Sequence, residues 1–195
     1  TKWVRSVNWS PCGRYLVSGS HDHAVEIWDV FIGECLQILE GHTDAVWSVN
    51  WSPCGRYLAS GSFDRTIKIW NISRSECLLT LKSHTDWVQS VNWSPCGRYL
   101  ASGSFDRTIK IWNVSTGECL QTLEGHTDWV ESVNWSPFGS YLASGSNDYT
   151  IRIWNVLTGE CLQTLEGHTD WVRSVNWSPD GKYMASGSYD RKVKI

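Results

Sequence analysis

The sequence lacks the features that mark several large classes of protein. No apolar run approaches the roughly 20 residues that a membrane-spanning helix needs. Positive charge is not in excess, since 17 Lys and Arg stand against 20 Asp and Glu, whereas binding to nucleic acid depends on neutralising phosphates. No charged and then apolar leader opens the chain, so no secretory signal is visible. We therefore expect neither a membrane nor a nucleic acid as the partner.

Cysteine pairs at short spacing are also missing. The seven cysteines contain no CxxC, which excludes the usual metal and redox pairs, and their odd number argues against a complete disulfide framework. They fall into two sets with an interval of 42 residues: Cys12, Cys54 and Cys96, and Cys35, Cys77, Cys119 and Cys161. We expect reduced thiols in the cytoplasm, where cysteine behaves as a small apolar residue.

Metal-ligand clusters are scarce. His21-Asp22-His23 offers two histidines, but no third ligand is apparent, and two histidines are too few for a structural zinc site. No other motif points to a bound cofactor. The sequence therefore predicts no metal and no cofactor.

Repetition is what the sequence has instead. Residues 48–71 and 90–113 read the same letters, SVNWSPCGRYLASGSFDRTIKIWN, at a distance of 42 positions. The chain aligns with itself at this period without an insertion, which gives four full periods and 27 residues of a fifth. We call the residues at one repeat position a column. Such a period indicates a repeat architecture, in which one unit cannot bury its apolar faces alone.

Within one period the signals are those of strands and turns. "SVNW" is short, β-branched and aromatic, and the "SPCG" that follows it suits a type I turn. "RYLASGS", "TIKIWN" and "CLQTL" predict three further strands, separated by "FD" and "STGE". No segment has the length or periodicity of a helix. The sequence therefore predicts an all-β chain with four short antiparallel strands in each period, which is the blade of a β-propeller.

These residues carry a family resemblance. The pattern "EGHTDWV…NWSPDG…SGS.D.TIKIWN" resembles the WD-repeat β-propeller family, and the likeness covers the whole chain. The Trp-Asp pair that names the family survives only as Trp28-Asp29, since the later periods have Trp-Asn, and Ser83-His84 replaces Gly-His once. Asparagine keeps the size and a hydrogen-bonding side chain, so the implied fold is unchanged.

The resemblance implies a single segment of propeller over residues 1–195, with about 4.6 blades. The blades are expected at approximately 1–42, 43–84, 85–126, 127–168 and, incomplete, 169–195. Since seven blades are the commonest number in the family, the chain is expected to be an open arc of a larger ring within a longer protein. The alternative is closure by another copy of the chain, which near-identical blades would permit.

Each period also contains a His, a Ser and an Asp, which invites comparison with a hydrolase triad. The resemblance implies instead a buried hydrogen-bond network in each blade that ends on the Trp of the third strand. Complete sets are His42–Ser60–Asp64–Trp70, His84–Ser102–Asp106–Trp112 and His126–Ser144–Asp148–Trp154. His168, Ser186 and Asp190 form an incomplete fourth set, and Ser18, Asp22 and Trp28 lack a preceding His. If the sets are structural, their serines should be buried.

A few columns vary while most are constant. The first variable column is Arg5, Trp47, Gln89, Glu131 and Arg173, and the second is His21, Phe63, Phe105, Asn147 and Tyr189. The third is His23, Arg65, Arg107, Tyr149 and Arg191, and a tryptophan column beside them holds Trp3, Trp87, Trp129 and Trp171, with Ala45 in the second period. The family resemblance places all four columns on one rim, the top face. Drift at exposed positions would explain the variation, and so would a binding surface, because interface hot spots favour aromatic residues and Arg.

The sequence therefore predicts a non-catalytic scaffold that binds a protein or peptide through these top-face residues. The resemblance suggests a place in a larger signalling or sensor protein. A structural module that associates with itself is the alternative. A hydrolase that uses one of the His, Ser and Asp sets is a further candidate from a different class.

Overall fold

The computed structural model describes residues 3–195, and every element of regular structure in this range is a β-strand. The strands form five separate antiparallel sheets in chain order. The first four sheets have four strands each, and the last has three. The predicted all-β fold with four-stranded blades is confirmed. We number the blades 1 to 5 along the chain.

The strand bounds repeat from blade to blade. Blade 1 contains β1 (Val4–Trp9), β2 (Tyr15–Ser20), β3 (Val25–Asp29) and β4 (Glu34–Leu39). Blade 2 contains β5 (Val46–Trp51), β6 (Tyr57–Ser62), β7 (Thr66–Asn71) and β8 (Glu76–Lys82). Blade 3 contains β9 (Val88–Trp93), β10 (Tyr99–Ser104), β11 (Ile109–Asn113) and β12 (Cys119–Leu123). Blade 4 contains β13 (Val130–Trp135), β14 (Tyr141–Ser146), β15 (Ile151–Asn155) and β16 (Cys161–Leu165), and blade 5 contains β17 (Val172–Trp177), β18 (Met184–Ser188) and β19 (Val193–Lys194).

A serine-proline turn joins the first two strands of each blade. In blade 2 the backbone N–H of Gly55 donates to the Ser52 carbonyl at 2.9 Å, and Gly55 has a φ of 70°. The Ser52 hydroxyl accepts a hydrogen bond from the Tyr57 N–H at 3.0 Å, where the next strand begins. The turn therefore uses serine as an acceptor and glycine for its left-handed conformation, as the sequence pattern indicates.

The hydrophobic core lies between blades rather than inside them. Val46, Val49 and Trp51 of blade 2 pack in one cluster with residues of blade 1, among them Val17 and Leu39. The same arrangement recurs at the following boundaries. Each blade therefore supplies half of a core, which is why one repeat cannot fold alone.

Hydrogen bonds join the innermost strands across each boundary. The Val49 N–H donates to the Ser6 hydroxyl at 3.2 Å, and the Trp51 N–H donates to the Asn8 side-chain oxygen at 3.1 Å. The equivalent pairs are present at the boundaries between blades 2 and 3, 3 and 4, and 4 and 5. The Ser and Asn columns of "SVNW" are therefore constant because these side chains accept hydrogen bonds from the backbone of the next blade.

The blades form an open arc. In blade 1 the side chains of Val4, Val7 and Trp9 are 56%, 58% and 55% exposed, because no blade covers them in this chain. Their counterparts in blade 2, which pack on blade 1, are at most 5% exposed. The arc therefore has one uncovered blade face at its first blade.

The cysteines do not take part in the core. All seven are free thiols at exposed positions. The expectation that they behave as small apolar residues is wrong, because both columns lie where the chain leaves the packed part of a blade, in the first turn or at the start of the fourth strand.

Across residues 3–195 the chain forms no helix of the length and hydrophobicity that crossing a bilayer requires.

Candidate functional site

A buried hydrogen-bond network runs through each of blades 2, 3 and 4. In blade 3 the Trp112 indole N–H donates to the Ser102 hydroxyl oxygen at 2.8 Å. His84 Nε2 lies 2.7 Å from the same oxygen, and His84 Nδ1 lies 2.7 Å from the Asp106 carboxylate. The network therefore links the third strand of the blade to the loop before its first strand.

The donors and acceptors fix the tautomer of the histidine. An indole N–H can only donate, so the Ser102 hydroxyl must pass its own proton on to His84 Nε2. His84 Nδ1–H then donates to the Asp106 carboxylate, which can only accept. Burial lowers the pKa of His84, although Asp106 opposes this shift. The neutral imidazole therefore satisfies every group, whereas a protonated ring would leave the serine proton without its acceptor.

The other sets that the sequence indicates have the same geometry. His42, His126 and His168 each lie 2.7–2.8 Å from their Asp and 2.7–2.9 Å from their Ser. In blade 1, which has no such histidine, the Trp28 indole donates to Ser18 at 2.9 Å and the Ser20 hydroxyl donates to Asp22. The full network therefore recurs in blades 2 to 4, blade 5 has its His, Ser and Asp part, and blade 1 has two separate bonds in its place.

The variable columns meet on one rim, which is the top rim of the implied propeller. The second variable column follows the second strand of each blade, and its backbone N–H groups bond to the tryptophan column: the Phe105 N–H donates to the Trp87 carbonyl at 3.0 Å. The register of the first two strands shifts at every member of the first variable column, for example between Val88 and Ser90, on either side of Gln89. A β-bulge of this kind re-aims the side chain that it carries.

Aromatic rings form a connected arc along the top rim. Phe63 stacks between Trp47, at 4.6 Å between ring centroids, and Trp87, at 3.7 Å. Phe105 stacks on Trp129 at 3.9 Å and lies 5.2 Å from Trp87. Trp47 stands in the blade where Ala45 replaces the usual tryptophan, so it supplies the missing ring from the first variable column. The aromatic side chains therefore pack on one another across blade boundaries, in addition to being partly exposed.

The arc continues at both ends through looser contacts. His21 lies 5.7 Å from Trp3 and 5.8 Å from Trp47, and Arg5 places its guanidinium 4.2 Å from the Trp47 ring centroid. At the other end Trp171 lies 5.7 Å from Tyr189, and Arg173 lies 5.3 Å from that ring. The rim is thus lined with flat aromatic faces and guanidinium groups.

Three of the residues expected at the exposed surface are buried. Gln89 and Glu131 are 5% exposed and Asn147 is 3% exposed. The Gln89 side-chain N–H donates to Glu131 at 2.9 Å, and the Arg173 guanidinium lies 2.6 Å from the same carboxylate. Burial raises the pKa of Glu131, against the effect of Arg173. The expectation of exposure is wrong here, because variation at these positions brings Gln89, Glu131 and Arg173 together in a polar cluster across blades 3 to 5. The side-chain oxygens of Gln89 and Asn147 are buried in it without a hydrogen-bond partner among the described residues.

The third variable column has an unusual backbone. His23, Arg65, Arg107, Tyr149 and Arg191 all have a φ between 66° and 73°, although none is glycine. The turn needs this left-handed residue, since the Arg107 N–H donates back to the Ser104 carbonyl at 3.2 Å. Arg65, Arg107, Tyr149 and Arg191 are exposed, and His23 is half-buried. These side chains project from the turn between the second and third strands of each blade.

Comparison with known proteins gives the family. The model of the IFT122 first beta-propeller matches residues 3–114, and the WD domain, G-beta repeat model matches residues 117–155 and 159–195. The chain belongs to the WD-repeat β-propeller family. It is similar to the ribosome biogenesis protein BOP1 homolog of Drosophila erecta, with 50% identity over 46 residues, which are 24% of this chain and 6% of that protein. It is also similar to polyadenylation factor subunit 2 of Gibberella zeae, with 44% identity over 43 residues, which are 22% of this chain and 7% of that protein.

As a WD-repeat propeller, the chain is a scaffold for protein interaction, and its geometry points away from catalysis. The His, Ser and Asp sets have triad-like distances, but Ser60, Ser102 and Ser144 are fully buried and Ser186 is 3% exposed. Each serine oxygen in the three complete sets also accepts an indole N–H. A buried serine that no substrate can reach cannot act as the nucleophile of an acyl-transfer reaction. Residues 3–195 contain no group of three or more His, Cys, Asp and Glu side chains arranged for a metal ion.

Two threonines of the WD-repeat network are missing from the predicted sets. The backbone N–H of Thr85 donates to Asp106 Oδ2 at 3.0 Å. Thr108 donates to Asp106 Oδ1 through its hydroxyl, at 2.6 Å, and through its backbone N–H, at 3.0 Å. Thr66 and Thr150 do the same for Asp64 and Asp148. The sequence signal for this threonine is the Asp-x-Thr pattern, which occurs in the periods that carry a complete set. A residue two positions after Asp can donate hydrogen bonds to the carboxylate oxygen that the histidine does not contact.

Proposed function

We propose that this WD-repeat segment binds a protein or peptide across its top rim, without a contribution from nucleic acid. The observation that carries the proposal is the third variable column, where five non-glycine residues hold a left-handed backbone conformation. The left-handed conformation costs about 1–2 kcal/mol for a residue with a side chain. Glycine would remove this cost in every blade, so the retained side chains are expected to have a use outside the fold.

The chemistry of the rim supports a peptide or protein partner. Arg65, Arg107 and Arg191 are exposed beside the aromatic arc, and Trp87, Trp129 and Trp171 are 37–38% exposed. Arginine and tryptophan are the residues that carry most of the energy in protein interfaces. The stacked rings are held before a partner arrives, which lowers the entropy lost on binding.

The test removes the arginines without harming the fold. In the variant R65G/R107G/R191G we expect a melting temperature equal to or above that of the parent chain, because glycine relieves the left-handed backbone. We expect peptides selected on the parent chain from a displayed library to lose at least tenfold in affinity.

The matched control is R74G, which removes an arginine whose side chain is 71% exposed in a turn between third and fourth strands. This control should bind the selected peptides like the parent chain. Equal affinity of the parent and the triple variant for every selected peptide would exclude the third variable column from the binding surface.

Self-association is a second candidate, favoured by the shape of the two end blades. Val4, Val7 and Trp9 leave an apolar face open, and Ser174 and Asn176 hold the positions that accept inter-blade hydrogen bonds in the preceding blades. A second copy would satisfy them with its own Val7 and Trp9 N–H groups. We expect the sedimentation coefficient to rise with concentration and V7D to abolish the rise. A concentration-independent value for the parent chain would contradict this candidate.

The wider setting is part of the proposal. We propose a cytoplasmic location, on the basis of the free thiols, and a place within a larger signalling or sensor protein. The chain spans about 6–7% of the length of the two relatives described above, whose names refer to ribosome biogenesis and polyadenylation. Closely similar blades in proteins of such different roles support a docking function rather than one reaction.

A further inference from the structure

Clefts recur on the rim opposite the variable columns. They lie between blades 1 and 2, 2 and 3, and 3 and 4, with volumes of about 470, 660 and 620 Å³. Each is lined by two tyrosines, one from the start of the second strand in each of the two blades. An apolar residue from the third strand of the earlier blade also lines it. Each also contains a leucine of the fourth strand: Leu36, Leu78 or Leu120. These volumes fall in the range of sites that bind small molecules or side chains of a partner.

Only the cleft between blades 3 and 4 departs from the repeat at three positions at once. Blade 4 has Phe138 where blades 1 to 3 have cysteine, and Ser140 where they have arginine. It also has Leu157 where blades 2 and 3 have serine. In blade 1 only the last of these three columns differs from blades 2 and 3, with Phe31 in place of serine. All three changed residues of blade 4 line the same cleft, and together they replace a polar, cationic wall by an apolar one.

Packing within the chain accounts for little of these changes, although the Phe138 ring lies beside Gly181 of blade 5. Phe138 is 80% exposed and Leu157 is 87% exposed. The same turns in blades 2 and 3 fold with polar residues there, so the fold has no need of large apolar side chains. Exposed apolar residues that are clustered, rather than scattered singly, mark sites of interaction.

The rest of the cleft indicates what would fit. The Gln121 side-chain N–H donates to the Leu157 carbonyl at 3.2 Å, and the amide oxygen faces Gly159 of the same turn, where a Cβ would lie 3.5 Å from it. This oxygen is buried and has no hydrogen-bond partner among the described residues. Arg98 lines the wall that belongs to blade 3, and no ion pair involving it is found in residues 3–195. The Gln121 oxygen is therefore closed to a ligand, and the cleft offers apolar walls and one cation.

We propose that this cleft is a second docking site, which binds an extended peptide segment of a partner protein. A large aliphatic or aromatic side chain of the segment inserts between Phe138 and Leu157. An acidic residue next to the anchor pairs with Arg98. The site lies on the rim opposite the top-rim surface and is independent of it.

The repeats themselves supply the test variants. F138C/S140R/L157S restores in blade 4 the residues of blade 3, which fold in the same turns. D29N/C54F/R56S/S73L grafts the three residues into blade 2, whose cleft with blade 1 has Arg14 at the repeat position of Arg98. D29N gives blade 1 the asparagine of blades 2 to 4 and releases Arg14, which otherwise pairs with Asp29 at 2.9 Å. Both variants should keep the melting temperature and the β-sheet circular dichroism of the parent chain.

The probe is a library of displayed random twelve-residue peptides, selected on the parent chain and counter-selected on the reverted variant. Fluorescence polarisation then measures each enriched peptide. We expect peptides with a Leu, Phe or Trp anchor beside Asp or Glu to bind the reverted variant at least tenfold more weakly than the parent. We expect the graft, made in the reverted background, to restore binding, and R65G/R107G/R191G to leave it unchanged.

Two outcomes would overturn the proposal. One is that no peptide distinguishes the parent from the reverted variant. The other is that the reversion lowers the sedimentation coefficient of the parent chain, since the cleft would then be an interface between copies of this chain.

Discussion

Replacing Gly103 by alanine is expected to lower the free energy of unfolding by about 1–3 kcal/mol, the usual result of overpacking a core. A Cβ at this position would lie 2.7 Å from Val130 Cγ1 and 3.1 Å from Val133 Cγ1, both in the next blade. Val130 is fully buried and Val133 is 3% exposed, so neither can move away without opening the inter-blade core. The strand backbone itself accepts alanine, and the clash between blades is therefore the whole effect.

The matched control is Gly187→Ala, in the same column of blade 5. There the nearest atom to a new Cβ is the Ser174 hydroxyl at 3.0 Å, and no valine of a following blade is present. Alanine should be neutral or mildly stabilising, because glycine weakens a strand by its backbone entropy. Thermal unfolding measures both variants, since 1 kcal/mol shifts Tm by about 2–4 °C in a chain of this size. Equal losses at Gly103 and Gly187 would show that the column is constrained within a blade and not by its neighbour.

The pattern of strands and turns was readable from the sequence because it depends on contacts within one period. Alternating β-branched residues, the serine-proline turn and the glycine that ends it act over fewer than ten residues. The network from Trp112 to Asp106 was readable only through the family resemblance, since its members are up to 28 residues apart. The donors and acceptors of these side chains are compatible with such a series of hydrogen bonds. They do not predict that residues so far apart in the sequence lie next to each other.

The contacts of the top rim could be predicted from the sequence only in part, for a physical reason. Contacts such as Gln89 to Glu131, or Phe63 to Trp87, join neighbouring blades, and their geometry depends on how the sheets curve and twist against each other. In the sequence Ala45 and Trp47 deviate from their columns together in one blade, which indicates compensation. This pattern does not predict that the first variable column sits on a bulge or that the third has a left-handed backbone. These two backbone features separate the side chains that serve packing from those proposed to serve binding.

Replacing Asp106 by alanine is expected to cost about 1–3 kcal/mol, because it leaves buried donors without an acceptor. The carboxylate accepts from His84 Nδ1 at 2.7 Å, from the Thr85 N–H at 3.0 Å and from Thr108 at two atoms. The His84 side chain is 1% exposed, so water cannot replace the lost partner. The matched control is Asp86→Ala, which removes a partly exposed carboxylate whose bond to the Trp87 N–H, at 2.8 Å, is local to its loop.

The pH dependence distinguishes this network from simple packing. Burial alone would raise the pKa of Asp106, but the hydrogen bonds from His84, Thr108 and Thr85 outweigh burial and hold it well below its ordinary value. A depressed carboxyl pKa contributes stability that is complete above about pH 5 and is lost as the pH falls through the folded value. Urea unfolding from pH 7 to pH 3 should therefore show the gap between the parent chain and D106A narrowing below about pH 4, near the unfolded pKa of Asp. A gap that stays constant over this range would mean that the alanine acts through lost contacts and that the charge of Asp106 does not stabilise the blade.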